Sequence, residues 1–519
     1  MDMLTLGVIT LVYIGVIAFL GWRGYRSTRN ANDYLLAGGE IPPIVMALSY
    51  GAAFISASAI VGFGGVAATY GMGIMWLNLL NMLVGVVIAF ILFGRRTRLL
   101  GSQLEAKTFP ELFGKYFNSN AIRYFIAAII ILGMPLYASV VMKGGAVFVE
   151  HVFDIDYHLA LFCFTLIIAV YVITGGLKGV MYVDALQAGI MVVSISLLMY
   201  FTYAKLGMGF TEANVALSDA ANLVPDQFKA LGHRGWTVMP EFGSPWWFNL
   251  VTSLIMGVGI GVLAQPQLVV RFMTVKSTRD LNRAVFAGCL FLTLTVGFIF
   301  HIGPISNLLF LKETGKVASE AVADMDKIIP TFINMATPNW FTALFMLCIL
   351  SAAMSTLSSQ FHTMGTAIGH DVVGTIKNRT KKNDNTVLIT RLGIVFAILV
   401  SYIISYMLPV SIIARGTAIF FGICAATFLP TYFAILYIKG VTRQAALWSL
   451  WTGALTSTFA LLFFHQKESA AIGLCDWLFG KPVLIETFPF PVIDPIVWAL
   501  PLSILMLVVV QIMSKRKAN

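Results

Sequence analysis

The chain has 519 residues, of which 58% are hydrophobic and 11% charged, and its net charge is +10. A soluble globular protein carries roughly a quarter charged residues, and the mean hydropathy of +0.86 also argues against one. The five cysteines are scattered without metal-ligand or disulfide spacing, and the basic residues cluster briefly between apolar runs, a signal of membrane topology and not of nucleic-acid binding.

Apolar runs near the twenty residues that cross a bilayer fill nearly all of the length. In lipid such runs must be helical, because backbone polar groups have to be paired within the segment. Thirteen segments are predicted in one transmembrane domain, 1–519. In chain order they cover about 3–22, 42–70, 74–93, 121–148, 158–173, 181–203, 246–272 and 282–310. A ninth ends near 371, and the last four cover about 387–408, 412–438, 444–464 and 495–513. The first run lacks a preceding basic region and a small-residue cleavage site, so it is read as a retained helix and not a signal peptide. No stretch is long and polar enough for a separate soluble domain.

With the N-terminus outside, the strong basic clusters fall on one side: Arg23, Arg26 and Arg29; Arg95, Arg96 and Arg98; Lys377, Arg379, Lys381 and Lys382; Lys515, Arg516 and Lys517. The positive-inside rule then makes that side and the C-terminus cytoplasmic, in a cell inner membrane. Hydropathy permits two five-helix halves of opposite orientation, 41–205 and 246–438, with a peripheral first helix at 1–30 and extra helices at 443–519. The first helix of each half is interrupted. The second segment carries small and polar residues at Ser49–Ser58, and the seventh carries Gly257, Gly259 and Gly261 before Gln265-Pro266-Gln267. Interruptions at equivalent places mark the expected solute and ion site, whereas glycines alone would only signal close helix packing.

The sharpest motif is Ser351-Ala352-Ala353-Met354-Ser355-Thr356-Leu357-Ser358-Ser359 in the ninth segment. Ser355, Ser358 and Ser359 share a face, and hard cations take oxygen ligands. The alternative use of such hydroxyls is bonding back to carbonyls one turn earlier. Asp184, inside the sixth segment, is a functional candidate because a charge there is costly; otherwise it is an interfacial acid at a helix start. Lys143, in the fourth, either snorkels to the outer surface or attracts an anionic solute.

Together these segments resemble the sodium/solute symporter family, which includes sodium/proline and sodium/glucose cotransporters. The resemblance rests on Leu48-Ser49-Tyr50-Gly51-Ala52, Gly175-Gly176-Leu177-Lys178 with Asp184 and Gln187, Gln265-Pro266-Gln267 with Arg271-Phe272-Met273, and Ala352–Ser358, in this order. It implies an all-α polytopic fold of about thirteen helices, a leucine-transporter-type five-plus-five inverted repeat and alternating access. It also implies a principal sodium site of the Ala52, Ile55 and Ala352 carbonyls with the Ser355 and Thr356 hydroxyls. A second, more cytoplasmic sodium site would use Asp184, Ser355, Ser358 and Ser359. Ser56, Ser58, Tyr137, Val258, Val262 and Gln265 would line the solute cavity, with Lys143 on its entry side. Ser58 replaces a glutamate of the sugar carriers, and Phe54 an aspartate of the proline carriers.

The expectation is a sodium-driven symporter and not an enzyme. It imports a small organic solute, with Lys143 favouring an anionic one such as a monocarboxylate or an amino acid. Its partners are sodium, that solute and the lipid bilayer, and no nucleic acid. Proton coupling through Asp184 and a neutral solute such as a sugar stay open. Outside this class stand a channel, for which no filter motif is present, and a transport-like sensor.

Overall fold

The computed structural model describes residues 3–27, 31–174, 176–378, 386–409 and 411–518. Gly175, Arg29, Arg379, Lys381 and Lys382 of the sequence motifs lie outside them. Among the described residues the fold is helical, with one isolated bridge pairing Ile41 and Val275. Ten helices are long and apolar enough to cross a membrane, or eleven when the bent pair Pro43–Phe54 and Ser58–Tyr70 counts as one span. Two shorter apolar helices, Gly7–Trp22 and Tyr157–Ala169, occupy the places of the first and fifth segments. Length and composition alone therefore account for eleven of the thirteen expected spans.

Helix ends follow local chemistry. Pro43, Pro245 and Pro266 stand in first turns, where a missing N–H costs nothing. Thr108 and Ser277 accept backbone N–H groups as N-caps. The second segment breaks after Phe54: Ile55 is extended, its second half opens with a π turn at Ser58–Gly62, and the axes differ by 59°. The seventh breaks at Gln265, which is extended between two helical stretches. Both interruptions expected from sequence are present.

The ninth segment, Asn339–Gly374, is the hub: 83% of its apolar window is buried, against 22% for the last helix, Ile496–Lys515. It packs on the fourth and sixth segments and on the first half of the second, Pro43–Phe54. The first helix lies on the sixth, and the last two helices pack on each other and on the eleventh. Glycines set the close approaches, Gly65 and Gly261 among them. A Cβ at Gly65 would stand 2.0 Å from the Met325 carbonyl oxygen, and one at Gly261 would stand 2.4 Å from that of Phe421. Only a residue without a side chain lets these backbones meet.

Candidate ion and solute sites

Ending the first half of the second segment at Phe54 leaves its last carbonyls without helical amides. The ninth segment supplies hydroxyls instead. Ser355 Oγ lies 2.9 Å from the Ala52 carbonyl oxygen and Thr356 Oγ1 3.3 Å from it. Ser355 Oγ is also 2.8 Å from the Ser351 carbonyl and 3.2 Å from that of Ala352. One hydroxyl proton serves one acceptor at a time, so lone pairs outnumber donors in a fully buried spot, a donor set suited to a hard cation. Ala52, Ala352, Ser355 and Thr356 are thus brought together, with Ile55 capping the same helix end.

The residues expected in a second sodium site meet differently. Asp184 Oδ2 accepts from Ser49 Oγ at 2.8 Å and from Arg271 Nη2 at 2.9 Å. The same guanidinium donates to Ser359 Oγ at 2.5 Å, to Ser49 Oγ at 3.1 Å and to the Gln267 carbonyl at 2.6 Å. Asp184 is 0% and Arg271 1% exposed, so this is a fully buried ion pair. Ser358 and Ser359 both turn their hydroxyls to the Ser355 carbonyl, at 3.1 and 2.9 Å. Four segments, the second, sixth, seventh and ninth, are therefore tied by one guanidinium toward the expected cytoplasmic end. The sequence places Arg271 in a family motif and among the bases of the expected cytoplasmic side, and assigns it no partner in the site. An arginine a few residues beyond a predicted helix break was the available signal.

Between these elements lies a small cavity, lined by Phe54, Ser56, Asn81, Val258, Thr417 and Phe421 among others, with no charged side chain in its lining. Ser56 and Val258 are the solute candidates that line it. Ser58 Oγ is instead 2.6 Å from Thr417 Oγ1, and Tyr137 packs its ring on Phe420 and Phe421 with Ser56 beside its hydroxyl. Val262 packs against Gly85, and Gln265 Nε2 donates to the Gly261 carbonyl. Lys143 does not line it: its ammonium donates to the Leu408 carbonyl at 3.0 Å and lies over the Tyr157 ring. Asn81 and Thr417 were missed. Asn81, one of two amides three residues apart in an apolar run with Asn78, was detectable, whereas Thr417 resembled any threonine of a buried helix.

Toward the opposite end a second cavity is lined by Tyr70, Asp326, Arg415, His465, Glu468 and Asp494 among others. Burial opposes ionisation of Glu468, but the His465 ring and the Arg415 guanidinium outweigh it and hold the carboxyl down to about 2. Burial pushes Asp326 up to about 7, with Asp324 adding to the effect and Lys143 offsetting part of it.

Known proteins share this architecture. The chain is similar to the osmoregulated proline transporter OpuE of Bacillus subtilis, 27% identical over 448 residues, 86% of each chain. It is 26% identical over 489 residues to sodium/proline symporter 2 of Staphylococcus saprophyticus, covering 93% of this chain and 90% of that one. Its fold matches a sodium-coupled sialic acid symporter in a substrate-bound outward-open state, with a TM-score of 0.72 at 15% identity, over 98% of this chain and 96% of the other. It also matches MhsT in complex with L-phenylalanine, with a TM-score of 0.51 at 12% identity, over 90% and 97% of the two chains. The model of the sodium:solute symporter family matches residues 34–453, and the chain belongs to that family.

Proposed function

We propose that this sodium-coupled symporter carries a small amino acid with an apolar side chain, bound as its zwitterion in the central cavity. The observation that carries this is the lining: aromatic and aliphatic walls, the polar groups of Ser56, Asn81 and Thr417, and no charged side chain. A net-neutral solute enters such a space without leaving an unpaired charge, which is costly in a dry site. Its carboxylate suits the start of the outer half-helix at Ser58, the positive end of a helix dipole. Asn81 Oδ1, buried and without a donor, suits its ammonium. Relatives named for proline transport support an amino-acid solute.

In this scheme sodium binds among Ala52, Ile55, Ala352, Ser355 and Thr356, joining the broken helix to the ninth segment. That stabilises the arrangement in which the solute site is formed, and the coupling is reciprocal. Arg271, held by Asp184, Ser49 and Ser359, keeps the expected cytoplasmic end closed. A second sodium ion at Asp184, Ser355, Ser358 and Ser359 competes with that guanidinium, so its arrival loosens the closure. The halves 41–205 and 246–438 rock about these sites, in a membrane orientation with the N-terminus outside.

Uptake into proteoliposomes tests the proposal, with labelled L-proline, L-alanine, lactate and glucose under a sodium gradient, a proton gradient or neither. Sodium-driven uptake of one of the amino acids is expected. Transport of lactate or glucose alone would refute the zwitterion, and a proton gradient that replaces sodium would refute the ion assignment.

A further inference from the structure

The first helix, Met3–Ser27, lies outside both proposed halves, and the family model begins only at residue 34. Most of its described surface faces outward: Leu11, Val12, Val16 and Phe19 are 45–69% exposed. Tyr13 and Ile17, one turn apart, form its buried stripe against the sixth segment. A peripheral helix needs only apolar side chains on such a stripe. A tyrosine there brings a hydroxyl that must find partners or lose free energy.

Its partners are specific. Tyr13 Oη accepts from Gln187 Nε2 at 3.0 Å and lies 2.9 Å from Ser351 Oγ. Gln187 is three residues after Asp184 on the same face of the sixth segment. Ser351 is one turn before Ser355, whose hydroxyl lies 2.8 Å from the Ser351 carbonyl. One hydroxyl from outside the repeats therefore touches both helices that carry the candidate ligands of the Asp184 site, a turn from Asp184 and from Ser355.

The second observation is an imbalance of donors. Gln187 and Asp184 are both 0% exposed, and among the described residues Gln187 Oε1 and Asp184 Oδ1 each find no hydrogen-bond donor. Arg271 and Ser49 serve only the other carboxylate oxygen, Oδ2. Because Tyr13 engages the nitrogen end of the amide, the oxygen end is fixed in place. Two buried acceptors on one helix face, both short of donors, are a costly arrangement unless a cation or its water fills the shortage at some stage of the cycle.

We propose that Gln187 Oε1 is a further oxygen ligand of the Asp184 ion site, direct or through one water, and that Tyr13 is its positioning residue. The proposal rests on the assignment of a coupling cation to the Asp184 cluster. In this arrangement the first helix belongs to the coupling machinery: moving it away from the sixth segment turns the Gln187 amide and weakens the site.

The probe is sodium itself, applied to the purified full-length protein in detergent. The unfolding temperature is titrated with NaCl against choline chloride at constant ionic strength, since a ion that binds the folded state raises it in proportion to occupancy. Tyr13→Phe and Gln187→Leu are each expected to raise the sodium concentration for half the stabilisation by about threefold to tenfold, the range set by one lost hydrogen bond. The double variant should equal Gln187→Leu alone, because Tyr13 acts through that amide. A purely structural tether would lower the choline baseline and leave the sodium midpoint unmoved. That result in both single variants, with Asp184→Asn still shifting the midpoint, overturns the proposal and leaves the ion site standing. A wild-type midpoint in all three removes both. Should Tyr13→Phe fail to fold, Gln187→Leu and Ser351→Ala give the same reading from the other end of the network.

Discussion

Two clusters of buried oxygen stand one turn apart on the ninth segment, and they treat charge in opposite ways. Around Ala52, Ser355 and Thr356 there is no formal charge: carbonyls exposed by a helix break meet hydroxyls from a neighbouring helix. Around Asp184 the charge is full, and a guanidinium of the chain itself already answers it. A neutral cage can be left by its ion without stranding a charge, so it suits an ion that comes and goes in every cycle. A carboxylate in the same surroundings would be stranded by departure. The internal arginine is thus the counter-ion that makes a buried acid tolerable.

The largest expected effect breaks the charged cluster. Removing one partner of a buried pair costs about 3–5 kcal/mol, so Arg271→Gln should sharply lower the unfolding temperature and the yield of folded protein. Asp184→Asn combined with Arg271→Gln should recover part of the loss, and additive losses in thermal unfolding would mean that the two groups act separately. The neutral cluster should behave otherwise. Ser355→Ala or Thr356→Ala is expected to raise the sodium concentration for half-maximal uptake by about tenfold, the equivalent of one hydrogen bond of ordinary strength, with only a small change in unfolding temperature. Unchanged sodium dependence in both variants, at equal expression, would remove the ion from that cage.

A third effect concerns stoichiometry. With a second ion at the charged cluster, the Hill coefficient for sodium in wild-type uptake should exceed one, and Asp184→Asn should bring it to about one. A reversal potential corresponding to one sodium per solute in the wild type would contradict this.

Asp326 extends the contrast to a buried acid without a guanidinium on it. Its carboxyl is pushed up to about 7 by burial, against about 3.9 in an unfolded chain. Between those values the native protein keeps a proton that the unfolded chain has released. Stability should therefore fall as pH rises through about 4 to 7 and level off above. Asp326→Asn should flatten that slope in thermal unfolding. Glu468, held down to about 2, makes its contribution below the window: its stabilisation is lost as pH falls from about 4.3 toward 2. The smallest effect is expected at Lys143. Its ammonium answers the Leu408 carbonyl and stands off the solute cavity, so Lys143→Met should change the Michaelis constant by less than about twofold while costing about one hydrogen bond of stability. A tenfold rise in that constant for an anionic solute would restore Lys143 as an attractor.

What the sequence determined by itself is local. Helices follow from apolar runs that must pair their own backbone. The two breaks follow from Ser49–Ser58 and from Gln265-Pro266-Gln267, where small residues and proline interrupt the pattern. The hydroxyl cluster at Ser355, Thr356, Ser358 and Ser359 follows from spacing on one helix, and the family motifs pointed to the facing carbonyls. The tertiary structure decided which groups meet across helices. Arg271 reaches Asp184 from 87 residues away, Tyr13 reaches Ser351 from 338, and Lys143 turns to Leu408 from 265. Periodicity names the face on which a residue lies, but a long side chain covers several ångströms beyond that face. Which acceptor it finds depends on the packing of every helix between them.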